Sequence, residues 1–522
     1  MSAALRTLDG DSNLGAELAD ALDSQASDST TELLIDRKGR RRHSRVRLAG
    51  GEALFIKRFR RFTSKHRSRE RLKWRLGLDA AHREWRALRA LHAGGIAVPE
   101  PRALVELGDG ELVLATRFLP GRTLTDWLPG ETPGRRALLK EIGSVVARFH
   151  ASGFTHGDLH WGNVLVTESG PVLLDFQSSR RSRGRRARLR DLGELDYSLS
   201  RDVSLADRLR LRRAGLGIEG DLDRAAREGL RAVGRAASAR GRAHASSRTR
   251  RCLRPGGTSA TFRLGPLRGL RLRGIDARAL AAALESPGIV LKESGRSQVR
   301  RVETDELCAI VKTFPRPDLG RRMADALRGS PARRGWRGGH GLRIRGIDAA
   351  QPIAFLERRR LGLPDGSYLF LEDLSAAPTA DDGAADGPAD EDVVDALTRL
   401  ALDLHRRGVV HGDLKASHVF LEPRGPRLEP RLIDLEGVRF PRRLTDRQRI
   451  RALAELNASL SDAIPDALRH RAFARYAGQL PFRGDPKDAL RRIVELSMAR
   501  AHRWSGTGCA LAQGRDLVNR GA

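Results

Sequence analysis

The sequence has little cysteine, few aromatic residues and no long apolar run. Its 522 residues include three cysteines, Cys252, Cys308 and Cys509, which lie far apart and form no metal-binding or redox spacing. A reducing compartment therefore fits best. Because the amino terminus lacks an apolar leader, we expect a cytoplasmic location. No run approaches the roughly 20 apolar residues of a membrane-spanning helix, so we expect any membrane contact to be peripheral.

Acidic residues are scarce relative to basic ones. There are 65 Asp and Glu against 96 Lys and Arg, which gives a formal net charge of +31. That excess predicts an anionic partner: nucleic acid, an acidic membrane surface, or a phosphorylated or carboxylated substrate. Two basic runs stand out, at 57–75 and 180–190. We do not expect either run to supply aromatic interleaving of the kind that base stacking needs, so nucleic acid is the least favoured partner. An isolated run of this kind is usually just solvated charge.

Two related segments reveal an internal repeat. "HGDLHWGNVL" begins at His156 and "HGDLKASHVF" begins at His411, an offset of 255 residues. The same offset separates Lys57 in "ALFIKRF" from Lys312 in "CAIVKTF". Downstream, "VLLDFQ" of the first copy matches "RLIDLE" of the second. The chain is too long for one hydrophobic core, and the preserved order predicts two homologous domains in tandem.

Composition suggests where these domains end. We expect a first domain at 1–235, a basic linker at 236–256 and a second domain at 257–522. The linker range is rich in small and basic residues and contains Gly and Pro. Residues 376–392 are rich in Ala, Asp, Gly and Pro without apolar periodicity, which predicts a disordered insertion.

Each copy has strand-like segments and one helix first, and a mostly helical half afterwards. Short apolar runs such as "EALFIKRF" and "ELVLATRFL" are typical of strands, whereas "RRALLKEIGSVVARFHASG" has helical periodicity. This order predicts the α+β class. Each domain should have a β-rich N-terminal lobe, a helical C-terminal lobe and a cleft between them.

The first copy places oxygen donors on two neighbouring loops. Asp158 and Asn163 are five residues apart, and Asp175 ends an apolar strand shortly afterwards. Oxygen ligands of this kind suit Mg²⁺. Lys57, on a strand, suits nucleotide phosphates. Phosphoryl transfer needs mainly positioning and charge neutralisation from the protein, so this residue set indicates nucleotide chemistry.

In their order along the chain, these residues resemble the protein-kinase-like fold. The resemblance implies that Lys57 holds the α- and β-phosphates of ATP and that Glu84 orients Lys57. It also implies that Asp158 is the catalytic base and that Asn163 and Asp175 hold Mg²⁺.

Two further positions belong to this comparison. His160 stands where protein kinases have a lysine, which implies contact with the transferring phosphate. Glu70 lies in the same region as Glu84 and is the alternative partner of Lys57.

The variant "HGD" loop, "EWRALRALHAGGIAVPEP" before it and "DFQSSR" after it look most like the bacterial lipopolysaccharide core kinases of the Kdo/WaaP type. The likeness covers about 30–205 and, more weakly, 285–465. It implies an ATP- and Mg²⁺-dependent kinase that phosphorylates a sugar of an anionic glycolipid at the inner membrane face. The alternatives are an atypical Ser/Thr protein kinase and a tandem pseudokinase scaffold. Oligomeric state is not indicated.

The second copy departs from the first at three matched positions. It keeps Lys312, Asp413 and Asp434. Gly335, His418 and Ala452 stand where the first copy has Glu84, Asn163 and Asp191. These changes predict a degenerate second site, because glycine cannot pair with a lysine and Mg²⁺ prefers oxygen to nitrogen. The rival interpretation is an active site that uses His418 or another metal arrangement.

Overall fold

The structure is a computed structural model in which the chain divides into two compact units, Met1–Gly241 and Arg242–Ala522. It describes residues 6–10, 34–35, 41–48, 50–59, 76–108, 110–127, 134–199, 203–382, 390–425 and 427–500, together with Leu14, Glu17, Leu18, Leu72, Trp74 and Trp504.

The N-terminal lobe of the first unit is an antiparallel sheet with one long helix. Its elements are β1 (Arg6–Gly10), β2 (Leu34–Ile35), β3 (Arg41–Arg47), β4 (Ala53–Phe59), α1 (Ala80–Ala93), β5 (Pro101–Glu106) and β6 (Leu112–Arg117). The strand order is β1-β5-β6-β4-β3-β2. In β4, Leu54 and Ile56 are fully buried in a cluster on one face. Because side chains alternate along a strand, Lys57 projects from the opposite face.

Local sequence explains where α1 begins and what it buries. The Asp79 side chain accepts hydrogen bonds from the backbone N–H groups of Ala81 and His82, so it caps the first turn. Trp85, Leu88 and Leu91 follow at helical spacing and are all buried. Glu84 is buried beside Trp85, and α1 therefore carries a carboxylate into the interior.

The C-terminal lobe of the first unit is mostly helical. Its elements are β7 (Arg122–Thr123), α2 (Leu124–Trp127), α3 (Arg135–Ala151), β8 (Phe154–Thr155), β9 (Val164–Thr167), β10 (Gly170–Leu173), β11 (Arg180–Arg181), α4 (Arg185–Ser198), α5 (Leu205–Gly215) and α6 (Arg224–Arg251), which continues past Gly241 into the second unit. Short 3₁₀ turns lie at 161–163 and 176–178. Leu139, Ile142, Val146 and Phe149 of α3 are fully buried, so α3 is the central helix of this lobe.

The second unit repeats this plan with additional elements at its start. Its strands are β12 (Ser259–Leu264), β13 (Leu267–Leu272), β14 (Ile289–Ser294), β15 (Ser297–Thr304), β16 (Leu307–Phe314), β17 (Pro352–Arg360), β18 (Leu363–Leu371), β19 (Val419–Arg424) and β20 (Arg427–Leu432). Its helices are α7 (Ala277–Glu285), α8 (Leu319–Arg328), α9 (Pro331–Ile344), α10 (Asp390–Arg406), α11 (Asp446–Ser459), α12 (Asp466–Gln479) and α13 (Pro486–Met498). The seven-stranded sheet has the order β12-β13-β17-β18-β16-β15-β14. Further 3₁₀ turns lie at 416–418 and 435–437.

The predicted α+β class, with a sheet-rich lobe followed by a helical lobe in each copy, is confirmed. The linker range 236–256 contains the boundary between the units, but its first sixteen residues lie within α6. They are helical because Ala and Arg are strong helix formers and outweigh the scattered Gly and Ser.

The predicted disordered insertion at 376–392 lies partly outside the described residues, which omit 383–389. Its two ends are ordered. Ala380 donates its backbone N–H to the carbonyl of Val419, and α10 begins at Asp390. Among the described residues, no helix combines the length and apolar character needed to cross a bilayer.

Candidate active site

In the first domain, one lysine lies between two carboxylates from different parts of the chain. Lys57 Nζ of β4 is 2.5 Å from Glu84 Oε1 of α1 and 3.3 Å from Asp175 Oδ1. The Lys57 and Glu84 side chains are 13% and 2% exposed, so this ion pair is almost fully desolvated. Glu84, of the two glutamates considered, therefore contacts Lys57. Glu70 lies outside the described residues.

Burial and charge compete at this pair. Burial acts to lower the pKa of Lys57, but the carboxylates of Glu84 and Asp175 outweigh it and raise the pKa. Burial also raises the pKa of the Glu84 carboxyl, although Lys57 opposes that effect. Lys57 is therefore positively charged at neutral pH.

The loop that begins at His156 is held from within the domain. Asp191 of α4 is buried, and its carboxylate accepts the backbone N–H groups of His156 at 2.7 Å and Gly157 at 2.9 Å. His156 itself donates from Nε2 to the carbonyl of Leu174 at 2.9 Å, and burial lowers its pKa. His156 is thus a packed, neutral side chain with no free path to a substrate.

The same loop presents its acid and amide side by side. Asn163 donates from Nδ2 to the backbone carbonyl of Asp158 at 2.9 Å, which leaves the Asn163 amide oxygen as an acceptor. Asn163 is buried, whereas Asp158 and His160 are partly exposed. A reacting hydroxyl can therefore approach Asp158.

Asp175 has a left-handed backbone conformation, with φ of 64°. Asp tolerates this conformation better than most residues. Gln177 donates from Nε2 to both carboxylate oxygens of Asp175 at 2.9 Å, and Lys57 contacts one of them. Gln177 was not predicted as a site residue. Its signal in the sequence is its place two residues after Asp175, within the "DFQ" that carries the family resemblance.

The arginine-rich run at 180–190 follows Asp175 and forms β11 and the first turns of α4. Six of its seven arginines are exposed: Arg180, Arg181, Arg183, Arg185, Arg186 and Arg190. Most of the other basic run, 57–75, lies outside the described residues.

In the second domain, the lysine pairs with a different glutamate. Lys312 Nζ lies 2.8 Å from Asp434 Oδ1 and 3.2 Å from Glu436 Oε1. Gly335 of α9 stands where Glu84 stands in the first copy, and a Cβ there would be 2.4 Å from the Leu369 side chain. Gly335 does not pair with Lys312, as the sequence predicts, but the contribution of Glu436 was not predicted.

The second loop keeps the backbone geometry of the first. Asp434 has φ of 58°, close to the value at Asp175. His418 Nδ1 lies 2.9 Å from the backbone carbonyl of Asp413, the contact that Asn163 makes to Asp158. Ligand atoms of Asp413, His418 and Asp434 all lie within 4.8 Å of one another. These three side chains therefore converge, although His418 differs in type from its counterpart Asn163.

The sequence also matches a known protein family. The sequence model of the lipopolysaccharide kinase (Kdo/WaaP) family matches residues 26–214 and again 323–476. The chain belongs to this family. The second match shows that the family's sequence pattern occurs in both halves of the chain.

Individual relatives match shorter stretches. A 3-deoxy-D-manno-octulosonic acid kinase of Stenotrophomonas maltophilia is 33% identical over 144 residues, which covers 25% of this chain and 57% of the relative. A 3-deoxy-D-manno-octulosonic acid kinase of Xanthomonas oryzae pv. oryzae is 32% identical over 164 residues, which covers 30% of this chain and 62% of the relative. The chain thus spans less than two thirds of the length of these relatives. A solved structure of WaaP in complex with acyl carrier protein is 22% identical, covers 44% of this chain and 92% of that one, and gives a TM-score of 0.31.

Proposed function

We propose that the first domain is an ATP-dependent phosphotransferase that acts on a sugar hydroxyl of a lipopolysaccharide core. The observation that carries this proposal is the convergence of Lys57, Glu84 and Asp175, beside a loop that presents Asp158 and Asn163. Membership of the lipopolysaccharide kinase family supports the acceptor class. Resemblance of fold alone would leave the acceptor open.

In this proposal each side chain has one task. Lys57, held by Glu84, neutralises the α- and β-phosphates of ATP. Asp158 accepts the proton of the sugar hydroxyl while the hydroxyl oxygen bonds to the γ-phosphorus of ATP. The bond between the γ-phosphorus and the β-phosphate oxygen breaks, and ADP leaves. His160, two residues from Asp158, contacts the transferring phosphoryl group.

The residues present fit a magnesium ion. Asn163 and Asp175 would hold it through oxygen atoms, because the Asn163 amide nitrogen is already engaged by the Asp158 carbonyl. When bound, Mg²⁺ would neutralise charge on the β- and γ-phosphates. Gln177 and Lys57 fix the orientation of the Asp175 carboxylate before any ligand arrives.

The exposed arginines of 180–190 support an anionic acceptor. Guanidinium groups pair with carboxylates and phosphates in a forked geometry, and an acidic core sugar bears such groups. The same surface would attract the anionic lipids of the inner membrane face, at about 1 kcal/mol for each basic residue near the surface. Acceptor binding and peripheral membrane contact would then use one set of side chains.

The test is to incubate the full chain with ATP, Mg²⁺ and dephosphorylated core glycolipid, and to measure the gain of phosphate by mass spectrometry. We expect transfer by the wild type and a loss of about 10²- to 10⁴-fold in Asp158→Ala. Phosphate on added proteins instead of glycolipid would favour the protein-kinase alternative. Equal transfer by wild type and Asp158→Ala would refute the proposal.

A further inference from the structure

The second domain contains a cleft with the two compartments that a nucleotide needs. A cavity of about 310 Å³ is lined by apolar side chains from both lobes: Val299, Ile310, Leu371, Phe420 and Ile433. A second cavity of about 540 Å³ is lined by more basic than acidic side chains, with the carboxylates of Asp325, Asp434 and Glu436 facing Lys312 and four arginines: Arg296, Arg321, Arg328 and Arg334. Lys312 and Asp434 line both cavities. An apolar slot beside a basic compartment suits a flat base with attached phosphates.

The lysine of this cleft is as well held as that of the first domain. Lys312 is 10% exposed and contacts Asp434 and Glu436, whose carboxylates raise its pKa against the effect of burial. Glu436 of the second domain matches Gln177 of the first. The carboxylate that pairs with the lysine therefore comes from the turn at 435–437, whereas in the first domain it comes from α1, the counterpart of α9. Gly338 permits this arrangement, because a Cβ there would lie 2.2 Å from the Leu435 carbonyl oxygen. Lys312 therefore keeps a carboxylate partner although Gly335 stands where the first domain has Glu84.

His418 can offer one ring nitrogen to a metal ion. Its Nδ1 faces the backbone carbonyl of Asp413 at 2.9 Å. A carbonyl can only accept, so Nδ1 carries the proton in this contact and Nε2 has the free lone pair. A backbone contact of this kind fixes the tautomer of many metal-binding histidines. His418 also lines the apolar cavity together with Asp434.

We propose that the second domain binds a nucleoside triphosphate together with a first-row transition-metal ion, held by Asp413, His418 and Asp434, and selects this ion over Mg²⁺. One imidazole nitrogen among carboxylates shifts a site from Mg²⁺ toward transition metals, because Mg²⁺ strongly prefers oxygen. The inference concerns binding by the second domain and does not rest on the activity of the first.

The experiment uses the full chain, Mn²⁺ as the probe and a non-hydrolysable ATP analogue. Electron paramagnetic resonance measures free Mn²⁺ while Mg²⁺ is added as competitor. We expect wild type to retain one Mn²⁺ that only a large excess of Mg²⁺ displaces. Asp434→Asn should abolish this site, whereas Asp175→Asn should leave it in place, which assigns it to the second domain.

His418→Asn is the matched variant, because it introduces the asparagine that the first domain uses at this position. We expect the Mg²⁺ concentration that displaces half of the Mn²⁺ to fall at least tenfold. The reciprocal change Asn163→His should make Mn²⁺ at the first site harder to displace, and melting curves check that both variants fold. If His418→Asn does not fold, Asn163→His decides the question. Identical Mg²⁺ competition in wild type and the folded variants, or no retained Mn²⁺ in wild type, would overturn the proposal.

Discussion

Removing the Asp191 carboxylate should destabilise the loop that carries Asp158. In Asp191→Ala, two backbone N–H groups lose their acceptor, at His156 and Gly157, and the buried His150 ring loses its 3.2 Å contact with the carboxylate. His156 is fully buried, so its N–H would find no water and would cost about 1–3 kcal/mol. Gly157 is exposed and can bond to water, so it loses only the advantage of a charged acceptor, about 1.5–3 kcal/mol. The expected total from these two backbone groups is about 2.5–6 kcal/mol.

Hydrogen exchange measured by mass spectrometry on peptides that cover 150–160 is the suitable assay, because it reports the opening of this segment separately from the rest of the chain. Asp191→Asn is the matched control. Its amide keeps one oxygen acceptor, so we expect roughly half of the effect of alanine.

A change below about 1 kcal/mol in Asp191→Ala would refute the reasoning, since it falls short of the cost of even one stranded buried donor. Such a result would also mean that Ala452, which matches Asp191 in the second domain, does not indicate a less stable loop at His411.

Three further outcomes are expected. Glu84→Gln should lower kcat/KM about 100-fold, because Lys57 loses the ion pair that orients it and a small misplacement of a positioning group can cost about 10²-fold in rate, while Glu70→Gln should change it by less than threefold. His405 is buried, and burial lowers its pKa to about 3. Between pH 6.5 and 5 the His405 side chain therefore binds a proton in the unfolded chain but not in the folded one. Stability should fall by about 2 kcal/mol from pH 6.5 to 5, and chemical denaturation of His405→Gln should show a smaller fall. Arg185→Glu with Arg186→Glu should raise KM for the glycolipid and leave KM for ATP unchanged. Equal KM values for the glycolipid would contradict a role for these arginines.

Much of the first site follows from local sequence. Alternation along "ALFIKRF" places Lys57 opposite the buried Leu54 and Ile56, and the helical spacing of α1 brings Glu84 to the same interior. The repeat offset alone identifies the second loop. These features depend on periodicity and order along the chain, which the sequence displays directly.

Other features depend on close packing that the sequence does not display. Glu436 contacts Lys312 because α9 has no side chain at 335 and 338 and lies directly against the turn at 435–437. Of the three changed positions, Gly335 predicts from sequence that the second site has lost the partner of its lysine. The structure shows that Lys312 keeps a carboxylate partner in Glu436. The signal that could have revealed the difference is the pair of polar residues, Gln177 and Glu436, at the same distance after the two matched aspartates.

The most direct test of the central claim is the initial rate of phosphate transfer from ATP to the core glycolipid by the full chain, compared between wild type and Asp158→Ala. Glu219→Ala, which removes an exposed carboxylate of the same domain, is the control. We predict a loss of about 10²- to 10⁴-fold for Asp158→Ala and no change for Glu219→Ala. Transfer by Asp158→Ala at the wild-type rate would contradict the assignment of the chemistry to the first domain.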